Sequence, residues 1–112
     1  MVTQTIERTA LTNLISNEDY ARKVLPFIKG NYFEVKEERI IFEEIYNFVD
    51  KYKTIPTQTS QEIEVGERKD LTEIEYKKIV EIIQTLNPVE VDFDWLVDTT
   101  EKFCKDKAIY NA

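Results

Sequence analysis

Residues 31–57 read NYFEVKEERIIFEEIYNFVDKYKTIPT. Ile41, Ile45, Phe48, Val49 and Tyr52 recur at helical spacing, and Phe42 and Tyr46 widen that stripe. A stripe this wide serves a helix with neighbours on more than one side, so this helix is expected at the centre of the fold. Glu37, Glu38, Glu43, Glu44, Asp50, Lys51 and Lys53 then fall on its solvated remainder, and Thr54-Ile55-Pro56 ends it.

The same reading extends outward in both directions. Ile6, Ala10, Leu11, Leu14 and Ile15 predict an amphipathic helix over about 5–16. Asn17 is a good N-cap for a short second helix, Glu18 and Asp19 suit its positive start, and Pro26 and Gly30 break it. Tyr20, Val24 and Leu25 are expected to face inward. Downstream, Thr59-Ser60-Gln61-Glu62 matches a capping box ahead of a thinly apolar helix carrying Ile63 and Val65. A second box, Thr72-Glu73-Ile74-Glu75, precedes the regular stripe Tyr76, Ile79, Val80, Ile83 and Leu86, which Asn87-Pro88 terminates. Asp92 or Asp94 can cap a last helix carrying Trp95, Leu96, Phe103, Ala108, Ile109 and Tyr110. The expectation is one all-α domain over residues 1–112, a compact bundle of about six helices. Phe33, Ile41, Phe42, Ile45, Phe48, Val49, Ile79, Ile83, Trp95 and Leu96 are expected in or bordering its core.

Composition supports this reading. With 42% hydrophobic and 33% charged residues, the chain has enough apolar surface to offset the entropy of ordering. Two glycines, Gly30 and Gly66, and three prolines, Pro26, Pro56 and Pro88, leave little of the turn chemistry that an all-β domain needs. The net charge of −7, from 22 acidic and 15 basic residues, repels phosphate, so no strong direct nucleic-acid binding is expected. The lone Cys104 permits no intrachain disulfide and suits a reducing, cytoplasmic setting. The start, MVTQTIERTALTNLI, lacks a secretory pattern, and no apolar run approaches a membrane span.

Little in the chain points to chemistry. Histidine is absent, which removes the usual general base and the commonest transition-metal ligand. Neither a phosphate-loop pattern nor G-x-G-x-x-G occurs, so no cofactor site and no catalytic residue is assigned. Glu37, Glu38, Glu43 and Glu44 have the chemistry of acid/base pairs or hard-metal ligands, but a charge run of this kind reads as a solvated face, with Lys36, Arg39 and Lys51 as local partners. Cys104 is read as a small core or surface residue, and Trp95 as a core anchor, although an aromatic at a helix start also suits a partner contact. Phe103, Ile109 and Tyr110 leave two readings open. Either another subunit or further chain covers them, or Phe103 and Tyr110 fold back onto the first helix.

The order of N-Y-F at 31–33, E-R-I-I-F-E-E-I at 38–45, I-P-T at 55–57 and D-W-L-V-D-T-T-E-K-F at 94–103 resembles the N-terminal domain of DnaB-type replicative DNA helicases. Phe33, Arg39, Ile41, Phe42 and Pro56 fall on that family's positions. Asp94 to Val97, Thr100 to Lys102, Asn111 and Ala112 look like its T-even-like bacteriophage branch. Glu38 stands where bacterial members often carry histidine, and a Gly-Gly-x-x-Tyr-Leu element is missing, which again favours the phage branch. The resemblance implies a non-catalytic collar domain that serves ring assembly and docks primase and the helicase loader. ATP and magnesium would belong to an ATPase domain outside this sequence, making the chain a fragment or a stand-alone remnant in the host bacterial cytoplasm. It also implies that the last helix starts a hairpin, with Phe103, Ile109 and Tyr110 as the self-association surface. The rival reading is a stand-alone acidic helical phage protein that binds and inhibits a host factor, and the reading frame beyond Ala112 separates the two.

Overall fold

Side chains placed to accept orphan backbone N–H groups mark most of the helix starts. In the computed structural model, which describes residues 5–111, Thr5 caps α1 (Ile6–Leu14), Asn17 caps α2 (Glu18–Val24) and Asp92 caps α6 (Phe93–Tyr110). Thr57 and Thr72 open α4 (Gln58–Gly66) and α5 (Glu73–Gln84), each through a reciprocal capping box, with Ser60 and Glu75 as partners. The box over α4 thus lies two residues ahead of the Thr59–Glu62 box read from sequence, because Ser60 fills the role expected of a glutamate. The long α3 (Lys36–Tyr52) has no side-chain cap at Val35. Arg39 instead reaches back one turn and donates to the Phe33 carbonyl from Nε and Nη2, at 3.3 and 3.1 Å. One turn of 3-10 helix, Gly30–Tyr32, separates α2 from α3. The chain is an all-α bundle of six helices, and the described residues form no strand.

The helices associate as two trios. The segments α3, α4 and α5, contiguous in sequence, pack on one another, while α1 and α2 pack with α6 from the far end of the chain. The contact of α1 with α3, together with the 3-10 turn against α3 and α6, joins the trios. Phe33 is fully buried at this joint. Its ring stacks on Phe42 of α3 at 5.2 Å and meets Phe103 of α6 edge-on at 6.3 Å. An ion pair reinforces the joint, with Arg8 Nε of α1 donating to Glu38 Oε2 of α3, a carboxylate only 5% exposed as a residue. Inside the trio of α1, α2 and α6, Tyr20 and Thr100 meet at 2.8 Å, and the Thr100 hydroxyl donates onward to the Leu96 carbonyl, so Tyr20 is the donor to Thr100. Burial pushes the Tyr20 phenol up to about 12.

Seven of the ten expected core positions are buried: Phe33, Ile41, Phe42, Ile45, Ile79, Ile83 and Leu96. Val49 is partly buried against them, and Phe48 is half-buried, its ring tilted 48° to that of Tyr52 at 4.7 Å between centroids. Tyr46 and Tyr52 are half exposed, and Ile40, outside the expected stripe, is buried. Length explains the shift. At 17 residues, about 25 Å by helical rise, α3 outruns its partners α1 and α5, of 9 and 12 residues. Its C-terminal half therefore emerges, and Lys53 ends it in the left-handed region at φ 60°.

Three expectations need correction. Trp95 is not a core residue but 53% exposed, since the buried stripe of α6 runs through Leu96, Val97, Thr100 and Cys104 and leaves position 95 at its edge. Glu38 is not solvated, and its partner comes from α1 rather than from its own helix. Gln61, read as a polar position within a cap, is fully buried, and its amide makes no hydrogen bond to protein.

The joint sets a first expectation for stability. Arg8→Met leaves Glu38 charged and unpaired, and should cost about 2–3 kcal/mol, less than for a fully buried pair because Arg8 is partly exposed. The double change Arg8→Met with Glu38→Leu should recover most of that loss in urea denaturation. Conversely, Gln61→Met removes two unpaired buried polar atoms at similar volume, and should raise stability by about 1–3 kcal/mol in the same assay.

Candidate interaction surfaces

The three residues expected to form a self-association surface divide along α6. Phe103 turns inward against Phe33, half-buried in the joint, whereas Ile109 and Tyr110, nearly two turns further on, are 77% and 79% exposed. What separates them is how the helix end is held. Lys107 Nζ pairs with Glu34 Oε1 in the loop before α3, and Asn111 Nδ2 donates to the Asn31 carbonyl at 3.1 Å. Hydrogen bonding from Lys107 holds the Glu34 carboxyl below the usual range, and the same contact raises the Lys107 ammonium. These contacts fix the end of α6 with its apolar tip outward, so neither open reading applies to all three side chains.

The carboxylates weighed for acid/base or metal chemistry are not converged on an open site. Arg68, in the α4–α5 connection, donates from Nε and Nη2 to both Asp70 carboxylate oxygens at 3.0 and 2.8 Å. Its Nη1 reaches Glu44 at 3.1 Å and Glu43 at 3.5 Å on α3. Burial raises the Glu44 carboxyl while Arg68 opposes that rise, and the bidentate contact holds Asp70 low. The arrangement ties a loop to the central helix. Among the described residues no group of three or more acidic or cysteine side chains is placed to hold a metal ion. Lys36, expected to serve its own helix, pairs with Glu75 of α5 at 2.7 Å. Sequence reading missed the linking role of Arg68, whose only signal was a basic residue beside Asp70 in a connection otherwise exposed.

Two apolar hollows remain on the surface. One lies between α2 and the emergent half of α3, walled by Leu25, Pro26, Tyr46, Val49 and Ile55, with both Arg22 and Lys53 and both Glu18 and Asp50 at its rim. The other lies between α1 and the α5–α6 connection beside Trp95. Both join segments distant in sequence, so periodicity gave no hint of either. No described helix is long and apolar enough to cross a membrane.

Cys104 is 5% exposed beside Phe27 and Tyr32, and burial pushes its thiol up to about 11. With a thiol-reactive chromogenic disulfide at pH 8, the native chain should react roughly 100-fold more slowly than the urea-unfolded chain, on thiolate fraction alone. Equal rates would place Cys104 at an open surface.

No protein-family model matches the chain. It is 31% identical over 102 residues to the DnaB-like replicative helicase of Enterobacteria phage T4, an alignment that covers 91% of this chain. The chain spans about a fifth of that relative's length, 21%. The chain is thus similar, along nearly its whole length, to one part of a DnaB-like replicative helicase.

Proposed function

We propose that the chain acts in DNA replication as the non-catalytic N-terminal domain of a phage replicative helicase of the DnaB type, contributing to ring assembly and to the docking of primase and helicase loader. The 102-residue similarity to the phage helicase carries this reading. The chemistry of the chain agrees with it. A sequence without histidine or a phosphate loop offers nothing for phosphoryl transfer, which in this reading falls to a separate ATPase domain that binds ATP and magnesium. An acidic surface of net charge −7 suits a domain that meets proteins and stays off the DNA backbone. A rival inhibitor of a host factor would need no self-association, and that difference is measurable.

In this reading Ile109 and Tyr110 begin the contact between neighbouring domains, as the first helix of a hairpin. One exposed helix end buries less than the ~1,200 Å² of a stable interface, so the chain should dimerise weakly and only at high concentration in sedimentation velocity. Ile109→Ser with Tyr110→Ser should abolish that association and leave the thermal midpoint within about 3 °C, as for exposed positions. Phe103→Ser should instead destabilise the monomer, because it empties the joint beside Phe33. Mixed with its cognate primase or loader, the chain should form a complex. A monomer at every concentration that binds neither partner would overturn the proposal.

A further inference from the structure

The hollow beside Trp95 differs from the others in its charge. Ile6 and Thr9 of α1, Val89 and Val91 of the α5–α6 connection, and Trp95 of α6 wall a space of about 410 Å³. It continues past Asn13, Val89 and Val91 into a depression edged by Glu18, Asp19 and Glu90. Among the described residues no lysine or arginine lines either part, whereas the hollow between α2 and α3 carries both signs. Glu18 has a long contact with Arg22 at 3.6 Å, but Asp19 and Glu90 enter no ion pair among the described residues. The apolar wall itself faces water, with Val89 63% exposed and Trp95 53% exposed.

We propose that this trough docks a short lysine- or arginine-bearing segment of a partner protein. The segment inserts two or three apolar side chains beside Val89, Val91 and Trp95, and sets its cations against Asp19 and Glu90. The volume fits a few side chains rather than a whole helix or a large cofactor. A half-exposed indole offers its face to a cation as well as its body to an apolar group. Carboxylates without cations at the rim select a positive partner and slow the approach of a negative one. That excludes nucleic acid, and it disfavours a second copy of a chain of net charge −7. The trough is separate from the Ile109 and Tyr110 end, and the proposal stands whether or not the chain belongs to a helicase.

Trp95 is the only tryptophan in the chain, so its emission reports occupancy directly. The probes are a 14-residue peptide of leucine and lysine in amphipathic order and its counterpart with glutamate in place of lysine. The lysine peptide should shift Trp95 emission to the blue with saturation and bind more weakly as salt rises, while the glutamate peptide should leave the emission unchanged. Asp19→Lys with Glu90→Lys should weaken the lysine peptide by about tenfold. Val89→Gln, which keeps every charge, should weaken it comparably, while Glu67→Lys with Glu81→Lys, equal in charge but remote, should not. Far-UV circular dichroism confirms that each variant folds. Equal weakening by the remote pair, or equal binding of both peptides, would overturn the proposal. So would a blue shift that grows with protein concentration alone, which would assign the trough to a second copy. A red shift on deleting residues 1–4 without peptide would likewise overturn it, assigning the trough to the chain's own start.

Discussion

Phe33 holds the two halves of this molecule together. It sits in a connection, not in a long helix, yet its ring contacts α3 through Phe42 and α6 through Phe103. The surrounding polar contacts serve the same joint: Arg39 takes the Phe33 carbonyl, Lys107 takes Glu34, and Arg8 takes Glu38. The bonds of Lys107 and Arg8 span elements that no local signal relates. Aromatic packing supplies the burial, and the ion pairs fix the angle at which the trios meet.

The surface charges are organised around such links. Lys36 to Glu75 ties the starts of α3 and α5, and Arg68 ties the α4–α5 connection back to α3. Hydrogen bonding from Lys36, then from the Thr72 backbone N–H, draws the Glu75 carboxyl from its ordinary 4.5 to about 2. A carboxyl depressed in the folded state stabilises the fold above its ordinary value and loses that contribution as pH falls from about 4.5 toward 2. The tie between α3 and α5 therefore weakens only in strong acid. Carboxylates left over from these pairs, such as Asp19 and Glu90, give the α1 face its single-signed rim.

Local grammar made the helices legible. Asn17, Thr72 with Glu75, and Asp92 each cap the helix they were expected to cap, and the stripe from Tyr76 to Ile83 lies in α5, with Leu86 buried just past its end. What failed was everything set by distant partners. Glu38 reads as one more charge in an acidic run, and only the arrival of Arg8 from α1 makes its burial tolerable. Gln61 sits between Ser60 and Glu62 in a polar run, and only the packing of α4 between α3 and α5 turns it inward. Trp95 has the composition of a core residue, but a rotation of one position along α6 places Leu96 inside instead. The exposed tip of α6 was visible in Ile109 and Tyr110, whereas both hollows depend on helices that meet only in the folded chain.

The interleaved order of the two trios imposes a schedule on synthesis. The helices α3, α4 and α5 form a contiguous unit that can pack as soon as it leaves the ribosome, because its loops are short and cheap to close. The helices α1 and α2 leave first but lack α6, so Tyr20, whose hydroxyl partner Thr100 lies on α6, waits without that partner until the last element emerges. The nascent chain thus carries a half-built apolar face for most of its translation, the condition in which chains stick to one another. A chain interrupted before α6 would keep one sound trio and one exposed pair, and its hazard would be aggregation rather than simple loss of activity.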